Sequence, residues 1–149
     1  MASTLRHHVH RRHGIAWLAL TAALAVHVAD EAAHDFLALY NPNAAAIRAA
    51  LPFLPLPTFT LASWLASLAV AVVALAALSV AAFRGARWAV PASTAYAGLM
   101  AANGLLHTVG SLMLGRLLPG VYSSPLLVAA ALCLFVAARR VHPTPTSAP

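Results

Sequence analysis

The fold is decided by an uncharged apolar run, TFTLASWLASLAVAVVALAALSVAAF, which occupies residues 58–83. A helix of about 20 such residues spans the roughly 30 Å of hydrocarbon in a bilayer. The run is long enough to cross a membrane once, and a basic turn with Arg84 and Arg87 follows it. The sequence therefore predicts a transmembrane helix at this position.

The rest of the chain has the same character, since 62% of the 149 residues are hydrophobic and only 8% are charged. A soluble domain covers its surface with more polar groups than this composition supplies. Three further apolar runs are long enough to be spans, at about 15–39, 88–114 and 123–138. We therefore predict an all-α polytopic membrane protein whose transmembrane domain, residues 15–138, is a four-helix bundle.

Polar segments flank the predicted bundle. Residues 1–14 form a basic lead rich in His and Arg, and residues 139–149 form a Pro-rich tail that we predict to be disordered. A basic lead before an apolar run is also typical of a signal peptide, but this run is longer and carries acidic residues at the expected cleavage site. After the first span, the triplet Asn41-Pro42-Asn43 predicts a helix stop, with a short interfacial helix near 44–51.

Loop charge predicts the orientation of the spans. Seven of the nine Arg residues flank the spans on one side, whereas Arg48 and Arg116 flank them on the other. Because basic residues accumulate in cytoplasmic loops, both termini are predicted to be cytoplasmic, and a bacterial inner (plasma) membrane is expected. The Arg residues lie beside apolar runs and form no continuous patch, so their expected partner is a lipid bilayer and no nucleic acid.

Polar residues are concentrated at the end of the first predicted span. The only three acidic residues of the chain occur there with two His, in the order His27, Asp30, Glu31, His34 and Asp35. At about 100° per residue, these side chains share an arc of roughly 140° on one helix face. An acid near the centre of a span costs about 3 kcal/mol, and no Lys or Arg lies within the predicted spans. A bound cation or protonation is therefore favoured over internal ion pairs.

The third predicted span offers a matching polar face. Asn103 and His107 are one helical turn apart, and Tyr96 lies near the same face. Counted along two helices that run in the same direction, Glu31 and His107 fall at similar depths in the bilayer. Imidazole and carboxylate groups together are typical ligands of zinc, iron and manganese.

These positions predict a divalent-metal site that holds zinc, iron or manganese. The predicted ligands are His27, Asp30, Glu31 and His107. Additional ligands or hydrogen-bond partners are expected among His34, Asp35, Asn103 and Tyr96. A structural interpretation is the alternative, in which His34 and Asp35 lie in water at the interface and His107 and Asn103 only join two helices.

Three functions fit this pattern, and the sequence leaves the choice among them open. The first is a metal-dependent enzyme that acts on a lipid-like small-molecule substrate, with Glu31 as general base. The second is a proton-coupled small-molecule transporter that uses Asp30 or Glu31. The third is a structural or assembly subunit of a membrane complex. A homo-oligomer is compatible with all three.

The segment His27-Val28-Ala29-Asp30-Glu31 resembles the signature of the HXXEE-domain family of small integral membrane proteins, with Asp30 in place of the first Glu. The resemblance extends to Asn103-Gly104-Leu105-Leu106-His107, and to Arg116-Leu117-Leu118-Pro119-Gly120 with Ser123 or Ser124 following. It covers about residues 15–138. The resemblance implies a His/carboxylate site of unknown chemistry.

Overall fold

The computed structural model describes the backbone of residues 2–141 and the side chains from residue 7 onward. Within this part of the chain there are five α-helices and no strands, which confirms the predicted all-α class. The helices are α1 (Ala2–Ala33), α2 (Phe36–Ala50), α3 (Leu61–Phe83), α4 (Ala89–Leu114) and α5 (Ser124–Val141). The predicted tail begins inside α5, and from position 142 it lies outside the described residues.

Four of the described helices are long and apolar enough to cross a membrane. They are His7–Ala33 within α1, Leu61–Phe83, Ala89–Leu114 and Ser124–Val141. These four correspond to the four predicted spans. α2 has 15 residues, a length of about 22 Å, which is shorter than the hydrocarbon layer. It is therefore a connecting helix and not a fifth span.

The first helix differs from its predicted range at both ends. α1 begins at Ala2, so the basic lead continues the helix, and His13 within it is buried against the bundle. α1 ends at Ala33 instead of residue 39, because Asp35 adopts the left-handed conformation with φ 55° and ψ 49°. Asp enters this region at a smaller cost than most residues. The break lets α2 leave the axis of α1 directly after the acidic cluster.

The predicted helix stop at residues 41–43 is wrong, because Pro42 lies inside α2. A proline within a helix removes one backbone hydrogen bond and costs about 3 kcal/mol. Its neighbours offset part of this cost. The Asn43 Nδ2 atom donates to the Leu39 carbonyl at 2.7 Å, and Asn41 forms two hydrogen bonds with the backbone of Phe59, at 2.9 and 3.0 Å.

Asn41→Ala is expected to lower the free energy of unfolding in detergent by about 2 kcal/mol, because two hydrogen bonds of about 1 kcal/mol each are lost. The matched control is Asn43→Ala, which removes one exposed hydrogen bond within α2 and is expected to cost less than half as much. Thermal unfolding followed by circular dichroism compares the two variants. Equal losses would contradict a stabilising role for the two hydrogen bonds between Asn41 and Phe59.

α1 is the central helix, because it packs against both α3 and α5, and α4 packs against α5. α1 and α4 run in the same direction, and hydrogen bonds or ion pairs between polar side chains join them along their length. We call this row of pairs the α1/α4 seam. Its pairs are His13 with Ser93 (2.7 Å), Thr21 with Tyr96 (3.4 Å), His27 with Asn103 (3.1 Å) and Glu31 with His107 (3.1 Å).

Candidate metal centre

Three buried ligand-type side chains converge at one end of the α1/α4 seam. His27 and Glu31 lie one turn apart on α1, and His107 lies on α4. One ligand atom of each lies within 4.8 Å of the other two. The Glu31 Oε1 atom is 3.6 Å from His27 Nε2 and 3.1 Å from His107 Nε2. The exposed fractions of His27, Glu31 and His107 are 0%, 6% and 8%, so the group is enclosed by protein.

Gly120, in the loop between α4 and α5, lies against all three of these side chains. A Cβ atom at this position would lie 2.9 Å from His27 Cε1, 3.0 Å from Glu31 Cγ and 3.2 Å from His107 Cε1. The backbone of Gly120 also has φ +85°, a conformation that residues with a side chain rarely adopt. Backbone atoms of this loop therefore cover the three side chains at a distance that only glycine allows.

Ser123 connects Asp30 to His27. The Ser123 amide and hydroxyl both donate to Asp30 Oδ2, at 2.9 and 2.7 Å, and the same hydroxyl oxygen is 2.8 Å from His27 Nδ1. A hydroxyl group has one proton, and a carboxylate is its strongest acceptor here. His27 Nδ1 therefore carries a proton and donates it to the Ser123 oxygen.

Asn103 supports the same tautomer of His27. The Asn103 Nδ2 atom is 3.1 Å from His27 Nε2, and an amide nitrogen is always a donor. Nε2 is therefore the acceptor atom of the ring, and its lone pair accepts the Asn103 hydrogen bond unless a metal ion takes its place. A metal-binding imidazole has this arrangement, in which the other ring nitrogen donates to a supporting group.

The two distances from Glu31 to the imidazoles suit a small divalent ion. Ligand atoms about 2.0 to 2.2 Å from a tetrahedral ion lie about 3.3 to 3.6 Å apart, close to the 3.1 and 3.6 Å between Glu31 and the two imidazoles. Two imidazole nitrogens and one carboxylate oxygen form the protein ligand set of many catalytic zinc sites and of non-haem iron sites. Such a set leaves positions for water or substrate.

Asp30 and His34 do not join this group. Asp30 Oδ2 accepts two hydrogen bonds from Ser123, and Asp30 Oδ1 is 2.8 Å from His34 Nδ1. The His34 side chain is 47% exposed, and Asp35 is exposed at the break between α1 and α2. Of the five polar residues on this segment, the structure brings only His27 and Glu31 together with His107.

Tyr96 lies further along the seam. Its hydroxyl donates to Thr21 at 3.4 Å, and its ring centroid lies 5.4 Å from that of Trp17. Asn103 lies next to the three ligand-type residues, and its contact with them is the hydrogen bond to His27. Residue chemistry alone predicts no role for Gly120 or Ser123, although the resemblance to the HXXEE-domain family includes both segments.

A cavity of about 460 Å³ borders Glu31. It lies among the end of α1, α2 and the start of α3, and its walls are mainly aromatic and aliphatic. Phe36 and Trp64 stack within this wall with ring centroids 5.6 Å apart, and Phe36 is 6.0 Å from the His107 ring. Asp35 also lines the cavity. The buried carboxylate of Glu31 is therefore adjacent to this mainly apolar cavity.

Ser123→Ala is expected to weaken metal binding 10- to 100-fold while the site still fills at saturating metal, because loss of a supporting hydrogen bond has this effect at other metal sites. Thr108→Ala is the matched control, since that hydroxyl bonds only to the carbonyl of Gly104 within α4. Competition with a chelator of known affinity measures both variants. Affinities equal to that of the wild type in both would contradict the role of Ser123.

One comparison with known proteins identifies a family. A family model described as "Protein of unknown function with HXXEE motif" matches residues 17–135. The matched range includes all three converging ligand-type residues, Gly120 and Ser123. No curated protein and no solved structure matches the chain.

Proposed function

The chain belongs to the HXXEE family of proteins of unknown function, and we propose that it binds a divalent metal ion through His27, Glu31 and His107. Zinc, iron and manganese are the ions that this set of two nitrogens and one oxygen suits. The convergence of the three buried ligand atoms within 4.8 Å is the observation that carries the proposal.

The electrostatics of Glu31 favour a cation at this site. Glu31 is buried in a helix long enough to cross a membrane, where an unpaired carboxylate is costly. No Lys or Arg occurs between Arg12 and Arg48, and the groups within 4 Å of the Glu31 carboxylate that could carry a positive charge are two imidazoles, which do so only when protonated. A divalent ion would neutralise the carboxylate and use the imidazole lone pairs at the same time.

The contacts of Asp30 suit a supporting role instead of ligation. Through Ser123, Asp30 holds the tautomer of His27 in which Nε2 is unprotonated and can bind metal in place of the Asn103 hydrogen bond. The shorter Asp at the first Glu position of the motif reaches Ser123, with hydrogen bonds of 2.7 and 2.9 Å. We therefore assign Asp30 to the support of His27.

The three-residue ligand set and the adjacent cavity favour catalysis on a lipid-like substrate. A divalent ion held by three protein ligands supplies Lewis-acid chemistry or activates water. Glu31 serves here as a ligand, because its Oε1 is the atom nearest both imidazoles. The role of general base then falls to Asp35, which lines the same cavity. Phe36 and Trp64 form an apolar wall that accepts an acyl chain.

Metal analysis of the detergent-purified full chain tests the proposal. Inductively coupled plasma mass spectrometry is expected to find close to one zinc, iron or manganese ion per chain, either as purified or after reconstitution of chelator-treated protein. Circular dichroism verifies that the protein is folded. A folded protein that contains no such ion and takes up none on reconstitution would overturn the proposal.

Proton-coupled transport through Asp30 or Glu31 is the alternative function, and the cavity beside Glu31 is the observation in its favour. The two functions differ in liposomes that contain the purified chain. Transport predicts a substrate flux that responds to an imposed pH gradient and is insensitive to chelators. The metal proposal predicts an activity that chelators remove and that added metal restores.

The proposal also includes the surroundings and the orientation of the chain. The four apolar helices are consistent with a lipid bilayer as the surroundings of the chain. We propose the orientation with both termini in the cytoplasm of a bacterial cell, because most Arg residues flank the ends of the spans opposite to the metal centre. Reporter fusions at each terminus measure this orientation directly.

A further inference from the structure

A second cavity, of about 430 Å³, lies between α1 and α5. We call it the α1/α5 groove. Arg12 of α1 and Arg140 of α5 both line it, and Arg12 precedes Glu31 by about 28 Å of helix. The groove is therefore at the end of the bundle opposite to the proposed metal centre and is independent of it.

Among the described residues, no acidic side chain pairs with the two Arg residues of the groove. All three acidic residues, Asp30, Glu31 and Asp35, lie at the other end of α1, and the ion pairs found among the described side chains all involve His. Arg12 and Arg140 are exposed. Two guanidinium groups that border one cavity repel each other unless an anion lies between them, and their planar donors suit a phosphate group.

The remainder of the groove is apolar. From Arg140 to Leu132 it follows α5 for about 12 Å, which is most of the roughly 15 Å depth of one hydrocarbon leaflet. Small side chains leave this space open: Ala16 on one wall, with Cys133 and Ala137 on the other. The shape suits a single hydrocarbon chain that runs parallel to the helices.

From this combination we infer that the α1/α5 groove binds an anionic phospholipid of the surrounding bilayer. Its phosphate lies between Arg12 and Arg140, and one acyl chain extends along Ala137 and Cys133. Basic pockets between transmembrane helices recognise anionic lipid head groups through this chemistry. A zwitterionic lipid carries its own cation beside the phosphate, so the two Arg residues select the anionic head group. Soluble phosphates lack the acyl chain that fills the groove.

Native mass spectrometry of the full chain in detergent tests the head group. Phosphatidylglycerol is expected to bind at least tenfold more tightly than phosphatidylcholine with the same acyl chains. Arg12→Gln and Arg140→Gln are each expected to weaken phosphatidylglycerol binding about fivefold. Arg84→Gln and Arg87→Gln are the matched controls, because these exposed residues follow α3 at the same end but do not line the groove. They are expected to change binding less than twofold.

A second variant tests the acyl chain. Ala137→Leu is expected to fill the groove and to weaken phosphatidylglycerol binding at least tenfold, with helix content and thermal stability in detergent unchanged. Soluble glycerol phosphate is expected not to compete with the lipid at millimolar concentration. Three results would each overturn the inference: equal losses in the control Arg variants, equal binding of phosphatidylcholine, or full competition by glycerol phosphate. If Ala137→Leu fails to fold, the comparison of the groove Arg variants with the control Arg variants still tests the inference.

Discussion

Glu31→Gln protein is expected to retain less than about a tenth of the metal bound by the wild type. The substitution keeps the size of a buried side chain but replaces an anionic ligand by a neutral amide, which is a poor ligand for zinc, iron or manganese. His107→Gln is expected to have the same effect, because it removes the only ligand contributed by α4. Metal content measured by mass spectrometry, with circular dichroism as a check of folding, compares the variants.

His34→Gln is the matched control for both substitutions. His34 lies on the same segment as Glu31, but it is largely exposed and contacts Asp30 instead of the three ligand-type residues. This variant is expected to keep more than about half of the metal. The assignment of ligands would be contradicted if folded Glu31→Gln protein kept full metal, or if His34→Gln lost as much metal as the other two.

Gly120→Ala is expected to remove the metal and to lower the free energy of unfolding by about 3 kcal/mol. A side chain in the left-handed region costs about 1 to 2 kcal/mol, and the new Cβ atom would also contact His27, Glu31 and His107 at 2.9 to 3.2 Å. Buried side chains in a packed interior move little, so such an overlap costs a further 1 to 3 kcal/mol. Displaced ligand atoms no longer converge on one ion.

Gly115→Ala separates the backbone cost from the steric cost. Gly115 also has a left-handed backbone, with φ +60°, but a Cβ atom there would meet nothing within 4 Å apart from the residue itself and its neighbours in the chain. This variant is expected to lose only about 1 to 2 kcal/mol and to keep its metal. Thermal unfolding and metal content measure both effects. Retention of metal in folded Gly120→Ala protein would show that the loop does not shape the site.

The candidate site was predictable where it depends on helix geometry alone. His27 and Glu31 are four residues apart, and Asn103 and His107 are also four residues apart, so each pair shares a helix face wherever the helix packs. The cost of the acidic residues in an apolar helix likewise follows from the local sequence. These features predict His27, Glu31 and His107 as partners.

The choice between Asp30 and Glu31 depended on how α1 is rotated within the bundle. The two residues differ by about 100° around the helix, and α1 packs against several other helices. The observed rotation turns Glu31 toward His107 on α4 and leaves Asp30 beside Ser123 at the start of α5. Packing over the whole bundle sets this rotation, and no local pattern contains it.

The sequence by itself determined the class of protein, the four apolar spans and the segment that carries the chemistry, because hydrophobicity and helical periodicity are properties of neighbouring residues. Only the tertiary structure decided that Pro42 lies within a helix, that Gly120 covers the site and that Ser123 orients His27. Each of these depends on contacts between groups that are distant in sequence. Asn41 bonds to Phe59, and the loop after α4 packs against side chains of α1. Their energies arise from contacts that form only when the helices pack together.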